Sequence, residues 1–261
     1  MTATAVSGDV RIAYETRGEG PALLLVHGLG YARWGWGPAV EPLAARFRVV
    51  LFDNRGIGES DAPAGPYSAG EMAADAAAVL DAAGVERAHV VGTSLGGMVA
   101  QTLALEHPER VERLVLACTT PGGPHAFPFP EQTVRLLAEA AQLEPLVALR
   151  RFVENALAPD APEALVEEIL ALRVANPPDP AGWSAQAGVA AAFDAYDRLG
   201  SLDVPTLVLH GSEDGVVDVR NAALLEGLIP GSRVELFQRA GHLFFWEQPQ
   251  RFVETVTEFL G

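Results

Sequence analysis

The chain has 261 residues and a formal net charge of −16, and all 18 of its basic side chains are arginine. Such a surface repels phosphate backbones and anionic bilayers, which argues against nucleic-acid and membrane partners. Apolar residues at 49% supply a sizeable core and exclude a disordered chain, and no apolar run approaches the roughly 18 residues that span a bilayer. A single cysteine, Cys118, leaves no internal disulfide and no cysteine-based metal cluster; in the apolar run "RLVLACTT" it reads as a buried structural thiol. The N-terminal segment lacks the basic start and apolar block of a signal peptide, so the expected location is cytoplasmic.

Strand character begins at Val10, where "VRIAYETRG" alternates like a half-buried strand. "PALLLVHG" is apolar throughout, like a fully buried one, and "FRVVLFD" follows. A helix is predicted over Ala69–Ala83, with Ser68 and Glu71 at capping-box spacing before it and Gly84 closing its end. "AHVVGTS" is the next strand, running straight into a helix over Leu95–His107 that Pro108 stops. "VERLVLACT", "PTLVLHG" and "SRVELF" are further strands, and Gln248–Leu260 is the last helix. This alternation predicts an α/β fold: a mainly parallel sheet covered on both faces by helices.

The alternation breaks once, between Thr119 and Thr206. Only helical segments separated by prolines occur there, reading as Glu131–Leu143, Pro145–Ala158, Pro162–Ala175 and Trp183–Leu199. The pattern predicts a helical insertion of residues 121–202 on a core of residues 1–120 and 203–261.

In open parallel sheets, ligands bind beyond the carboxyl ends of the strands. Gly92-Thr93-Ser94-Leu95-Gly96 sits at such an end, where an apolar strand turns directly into a helix. A serine so placed is either a small residue in a tight turn or a nucleophile held out at the positive end of a helix. The nucleophile reading requires a base and a carboxylate, and His242 and Asp214 follow in that role, each in a loop after a strand. Asp214 also reads as a helix cap, because "SEDGVVDVRNAALL" leads into a helix. Backbone N–H groups of Leu29 in "HGLG" and of Leu95 are the candidate oxyanion donors, and His27 reads as a brace for that loop.

These residues resemble the α/β-hydrolase superfamily, specifically its single-domain, helix-capped esterases and 3-oxoadipate enol-lactonase-like members. The resemblance covers essentially the whole chain through "LLLVHGLG", "FDNRGIGESD", "HVVGTSLGGMVAQTLALEHPERVERLVL", "PTLVLHGSED" and "AGHLFFWEQPQRF". It implies Ser94 as nucleophile, His242 as base and Asp214 as acid, with Asp53 and Arg55 of "DNRG" structural. It implies a mostly parallel eight-stranded sheet with helices on both faces and a helical cap inserted after strand six, with no cofactor and no metal. The expected partner is a small ester or lactone, and the oligomeric state stays open. Dehalogenases and epoxide hydrolases of the superfamily carry Asp where Ser94 stands. Carbon–carbon bond hydrolases, cofactor-free perhydrolases and ligand-sensing receptors that resemble the fold remain as alternatives. Specificity is expected from the insertion and from Tyr31, Trp34, Phe127, Phe129, Trp183 and Phe244, with ordinary core packing the competing role for each. Arg135, Arg150, Arg151, Arg173 and Arg198 are the insertion's candidates for meeting a substrate carboxylate.

Overall fold

Strands that are apolar along their whole length need cover on both faces. The computed structural model, which describes residues 2–261, has that cover. The strands are β1 (Ala3–Ser7), β2 (Val10–Arg17), β3 (Ala22–Val26), β4 (Arg48–Phe52), β5 (Ala88–Thr93), β6 (Val111–Ala117), β7 (Thr206–Gly211) and β8 (Arg233–Phe237). They form one sheet in the order β1-β2-β4-β3-β5-β6-β7-β8. From β3 to β8 the pairing is parallel, while β2 is antiparallel to both β1 and β4.

The helices are α1 (Val40–Ala44), α2 (Ala69–Ala82), α3 (Leu95–Glu106), α4 (Glu131–Ala140), α5 (Pro145–Asn155), α6 (Glu163–Ala175), α7 (Pro180–Ala192), α8 (Arg220–Leu228), α9 (Phe244–Glu247) and α10 (Pro249–Leu260). Period-two alternation sorts the strand side chains between them. Leu24, Val26, Val50, Val90 and Leu116 pack on one face with Met72 and Val79 of α2, Leu103 of α3 and Leu225 of α8. Leu23, Leu25, Val49, Val91 and Val115 pack on the other with Leu43 of α1, Phe245 of α9, and Phe252 and Val256 of α10. No helix among the described residues is long and apolar enough to cross a membrane.

The capping box ahead of α2 is formed: the Ser68 hydroxyl accepts from the Glu71 N–H, and the Glu71 carboxylate accepts from the Ser68 N–H. Gly84 follows the helix at φ 66°. Two expectations change. Strand structure starts before Val10, because β1 pairs along the sheet edge with β2 through a turn at Gly8, φ 59°. Its sequence, ATAVS, has one large apolar residue, Val6, and that side chain is 66% exposed, so hydrophobic periodicity had little to register.

The single helix expected over Trp183–Leu199 is instead α7 followed by an extended link and a 3₁₀ turn over Tyr196–Ser201. It starts earlier because Asp179 caps it, accepting from the Gly182 N–H at 2.8 Å, with Pro180 in its first turn. It ends earlier because the chain pairs with the start of the insertion. Gly123 N–H donates to Phe193 O and Ala195 N–H to Pro121 O, both at 2.9 Å, flanking a bridge between Gly122 and Asp194. The two ends of the segment between β6 and β7 are thereby tied at its base.

The chain runs outward from β3 to β4 on one side and to β5 on the other. The carboxyl ends of β3 and β5 therefore flank a topological switch point, where a crevice opens.

Candidate active site

Ser94 is the first residue beyond β5, at φ 53° and ψ −122°. A non-glycine residue there is strained by roughly 1–3 kcal/mol and persists only if its surroundings fix it. They do: Ser94 N–H donates to Ala117 O at 2.9 Å, and the Thr119 hydroxyl donates to Ser94 O at 2.7 Å. The flanking glycines let the strand and helix approach. A Cβ at Gly92 would lie 2.3 Å from Gly96 O, and one at Gly96 would lie 2.1 Å from Val26 O. Although Ser94 stands at the N-terminus of α3, its side chain makes no capping hydrogen bond. A serine present only to close the turn would use its hydroxyl there; this one is left partly exposed.

Asp214 and His242 meet beyond β7 and β8. His242 Nδ1 lies 2.8 Å from Asp214 Oδ2, with both residues buried. Asp214 Oδ1 accepts from the N–H groups of Val216 (2.7 Å) and Val217 (2.9 Å). Asp214 is thus not the cap of α8, whose N-cap is Val219; its Oδ1 holds the turn over Val216 and Val217 while its Oδ2 faces His242. Neighbouring Glu213 is exposed. Burial pushes the Asp214 carboxyl up, but the charge of His242 and the hydrogen bonds from His210 and His242 outweigh it and hold it well below the usual carboxylate range. Burial likewise disfavours charge on His242, and the Asp214 carboxylate outweighs it, raising that imidazole well above the ordinary histidine value.

The histidine loop is held from both sides. A Cβ at Gly211 would lie 2.0 Å from Gly241 O, so the end of β7 presses directly on it. The half-buried Glu247 accepts from Gly241 N–H (2.7 Å) and from Ala158 N–H (2.8 Å), and Leu243 N–H donates to Ala156 O (2.9 Å). The loop carrying His242 is therefore bonded to the end of α5 in the insertion.

Val26 of β3 pairs beside Gly92 of β5, which sets the "HGLG" loop against Ser94. A Cβ at Gly28 would stand 2.9 Å from Ser94 Cβ and 3.5 Å from its Oγ. Gly28 N–H is engaged by His27 Nδ1 at 2.7 Å, while Leu29 N–H has no acceptor among the described residues. Leu95 N–H, at the first position of α3, has no acceptor within the helix. His27 stacks on Tyr31 and meets Trp36 and Phe245 edge-on, and burial pushes it down to about 3. The ring, kept neutral by its burial, ties the loop through its Gly28 contact.

Asn54 adds a hydrogen bond to His27 O at 2.9 Å. Its neighbours act in the scaffold: Asp53 accepts from Arg33 and from Glu59 N–H, and Arg55 forms a two-pronged pair with Asp75.

Of the six residues expected at the mouth, three gather at the "HGLG" loop. Tyr31 and Trp34 lie with ring centroids 5.1 Å apart, and the Trp183 indole covers Gly30, where a Cβ would be 2.8 Å from it. Phe127 is held through its backbone by Asn221 and lies under the Arg220 guanidinium, and Phe129 is exposed on the insertion. Phe244 does not reach the mouth. It is fully buried between Phe237, Phe245 and Phe252, so core packing is its role.

Sequence reading passed over other neighbours of the site. Cys118, buried as expected, sits at φ 43° beside both His242 and the Ser94 amide, and burial raises its thiol. Gln186 of α7 is fully buried and bridges Gly30 N–H and Arg55 O. His210, inside β7, lies 3.0 Å from Asp214 Oδ2. Strand-end position, the signal that pointed to Ser94 and Asp214, does not flag residues that reach the site from inside a strand or from an inserted helix.

A family model described as the alpha/beta hydrolase fold matches residues 21–249. The chain is 34% identical to a pimeloyl-[acyl-carrier protein] methyl ester esterase of Aeromonas hydrophila, across 96% of this chain and 99% of the relative. It is 33% identical to a 2-hydroxy-6-oxononadienedioate/2-hydroxy-6-oxononatrienedioate hydrolase of Paraburkholderia xenovorans, across 97% and 92%. The crystal structure of the enol-lactonase from Burkholderia xenovorans superposes with a TM-score of 0.85 at 28% identity, covering 99% of both chains. Three reactions are represented among these relatives, on one framework. The chain belongs to the α/β-hydrolase fold family.

Proposed function

We propose that this chain is a serine hydrolase of small carboxylic esters or lactones, acting through an acyl-enzyme. The observation that carries the reading is Ser94, held at φ 53° with its hydroxyl free of any capping bond, its backbone amide and the bonded His242–Asp214 pair both next to Cys118. Ser94 attacks the substrate carbonyl while His242 takes its proton, with Asp214 stabilising the imidazolium. The Leu29 and Leu95 amides receive the developing oxyanion. His242 then returns the proton to the leaving oxygen, and water clears the acyl group by the same steps. A panel of esters and lactones of graded size tests the reading, with the Ser94→Ala variant run beside the unmodified protein. Hydrolysis by the unmodified protein alone supports it; equal turnover by both overturns it.

The charge on His242 gives the proposal a pH signature. Only the neutral imidazole can accept the Ser94 proton, and Asp214 favours the charged form. Activity is therefore lost as pH falls through a value above the roughly 6.5 of an ordinary histidine. A profile of kcat/KM against pH should show its acid limb there; a limb well below that value would contradict the assignment of His242 as base.

Residues 121–202 act as a cap that selects the substrate, and the arginines it carries are not equivalent. Arg135 pairs with Glu131, Arg151 with Glu139, Arg198 with Glu106, and Arg150 with Glu154, Glu163 and Glu167. Arg173 of α6 has no carboxylate partner among the described residues; it donates to Gly30 O at 3.1 Å and lies over the Tyr31 ring. It is the cation placed to meet an anionic substituent of the substrate. Arg173→Gln should raise KM for a carboxylate-bearing ester by roughly 10- to 100-fold, the value of a charge-assisted hydrogen bond. KM for a neutral ester of the same size should change little, and equal effects on both would remove Arg173 from substrate selection.

A further inference from the structure

His210 contacts the same carboxylate oxygen as His242 and has no part in the mechanism above. Its side chain is completely buried in β7. Its Nε2 lies 3.0 Å from Asp214 Oδ2 and 3.1 Å from Val217 O, while its Nδ1 is buried without a partner. Two oxygens face Nε2, so that nitrogen carries the ring hydrogen and donates it. Asp214 therefore has four donors: the Val216 and Val217 amides on Oδ1, and His242 and His210 on Oδ2.

We propose that His210 is a positioning residue, which moderates the basicity of His242 by sharing the Asp214 oxygen that orients it. The proposal rests on the reading of Ser94, His242 and Asp214 as the catalytic set. Each hydrogen bond donated to a carboxylate favours its ionised form and weakens it as a base. A carboxylate without the His210 bond would hold the His242 imidazolium more tightly, leaving less neutral base at a given pH. The other titratable groups around the pair are Cys118 beyond β6, His27 beyond β3 and Asp218 ahead of α8. Of these, Asp218 is itself influenced by His210, so the comparison of a variant that removes the donor with one that restores it isolates the shared oxygen.

The test compares His210→Leu, which removes the donor, with His210→Gln, whose amide N–H can reach the position of Nε2. The acid limb of kcat/KM should move up by about 0.5–1 pH unit in His210→Leu and return towards the unmodified position in His210→Gln. A limb that stays put in His210→Leu, or moves equally in both variants, overturns the proposal. Should the leucine variant not fold, nitrogen NMR of the histidine-labelled, unmodified protein decides, with His210 assigned by its loss in the glutamine variant. A hydrogen on Nε2 of His210 is expected, and a hydrogen on Nδ1 overturns the proposal. That spectrum does not depend on turnover, so failure of the serine-hydrolase reading, seen as undiminished activity of Ser94→Ala, is distinguished from failure of this one.

Discussion

Ser94→Ala should lower kcat for ester hydrolysis by roughly 10⁴- to 10⁶-fold while leaving the protein folded. The expected loss is this large because in the proposed mechanism the hydroxyl is the reacting group, and His242 and Asp214 have no other proton to move. On the proposed mechanism, what remains comes from the Leu29 and Leu95 amides and from substrate binding. Stability should hardly change, because the Ser94 hydroxyl makes no capping bond and the turn is secured by its backbone, through Ala117 O and the Thr119 hydroxyl. A melting temperature within about 2 °C of the unmodified protein is expected. Loss of turnover with loss of fold would leave the assignment unsupported. Undiminished turnover in a folded variant would transfer the chemistry to another residue.

The parts of the site legible in the sequence share one property: they sit where a strand signal stops. Ser94 and Asp214 stand just past β5 and β7, and the periodicity of the apolar runs locates those ends to within a few residues. His210 is one residue from the end of β7, and within an apolar strand a histidine carries no pattern that tells which oxygen it will face. Phe244 shows the opposite failure. Two residues beyond His242 it was expected at the mouth, but the short helix α9 turns its ring between Phe237 and Phe252. The end of α7 was illegible for a further reason. Local propensity favours helix through the alanines there, and the competing backbone bonds come from Pro121 and Gly123, far away in the chain. Local signals describe elements, whereas pairing across the insertion's base and sharing of one carboxylate depend on the assembled sheet.

The elbow itself makes the second large prediction, on stability. Gly96→Ala puts a Cβ 2.1 Å from Val26 O and 2.6 Å from both Val26 C and His27 O. All three are backbone atoms of β3 or of the loop leaving it, so no side chain can swing aside. Either α3 retreats, uncovering Val99 and Leu103, or β3 shifts in the middle of the sheet; both break core packing, and a loss of more than about 4 kcal/mol is expected. Gly227→Ala is the matched control. Gly227 lies near the end of α8 with nothing within 4 Å of its Cβ position, so helix propensity alone operates there. That variant should be neutral or more stable by up to about 1 kcal/mol. Urea unfolding of both variants separates the two effects. A Gly96→Ala midpoint equal to that of the unmodified protein would mean that strand and helix do not approach as closely as the elbow requires. The same contact that forbids a methyl group at Gly96 also brings the start of α3 against the loop after β3. In the proposed mechanism, that contact keeps Ser94 and the Leu95 amide beside the loop that carries the Leu29 amide.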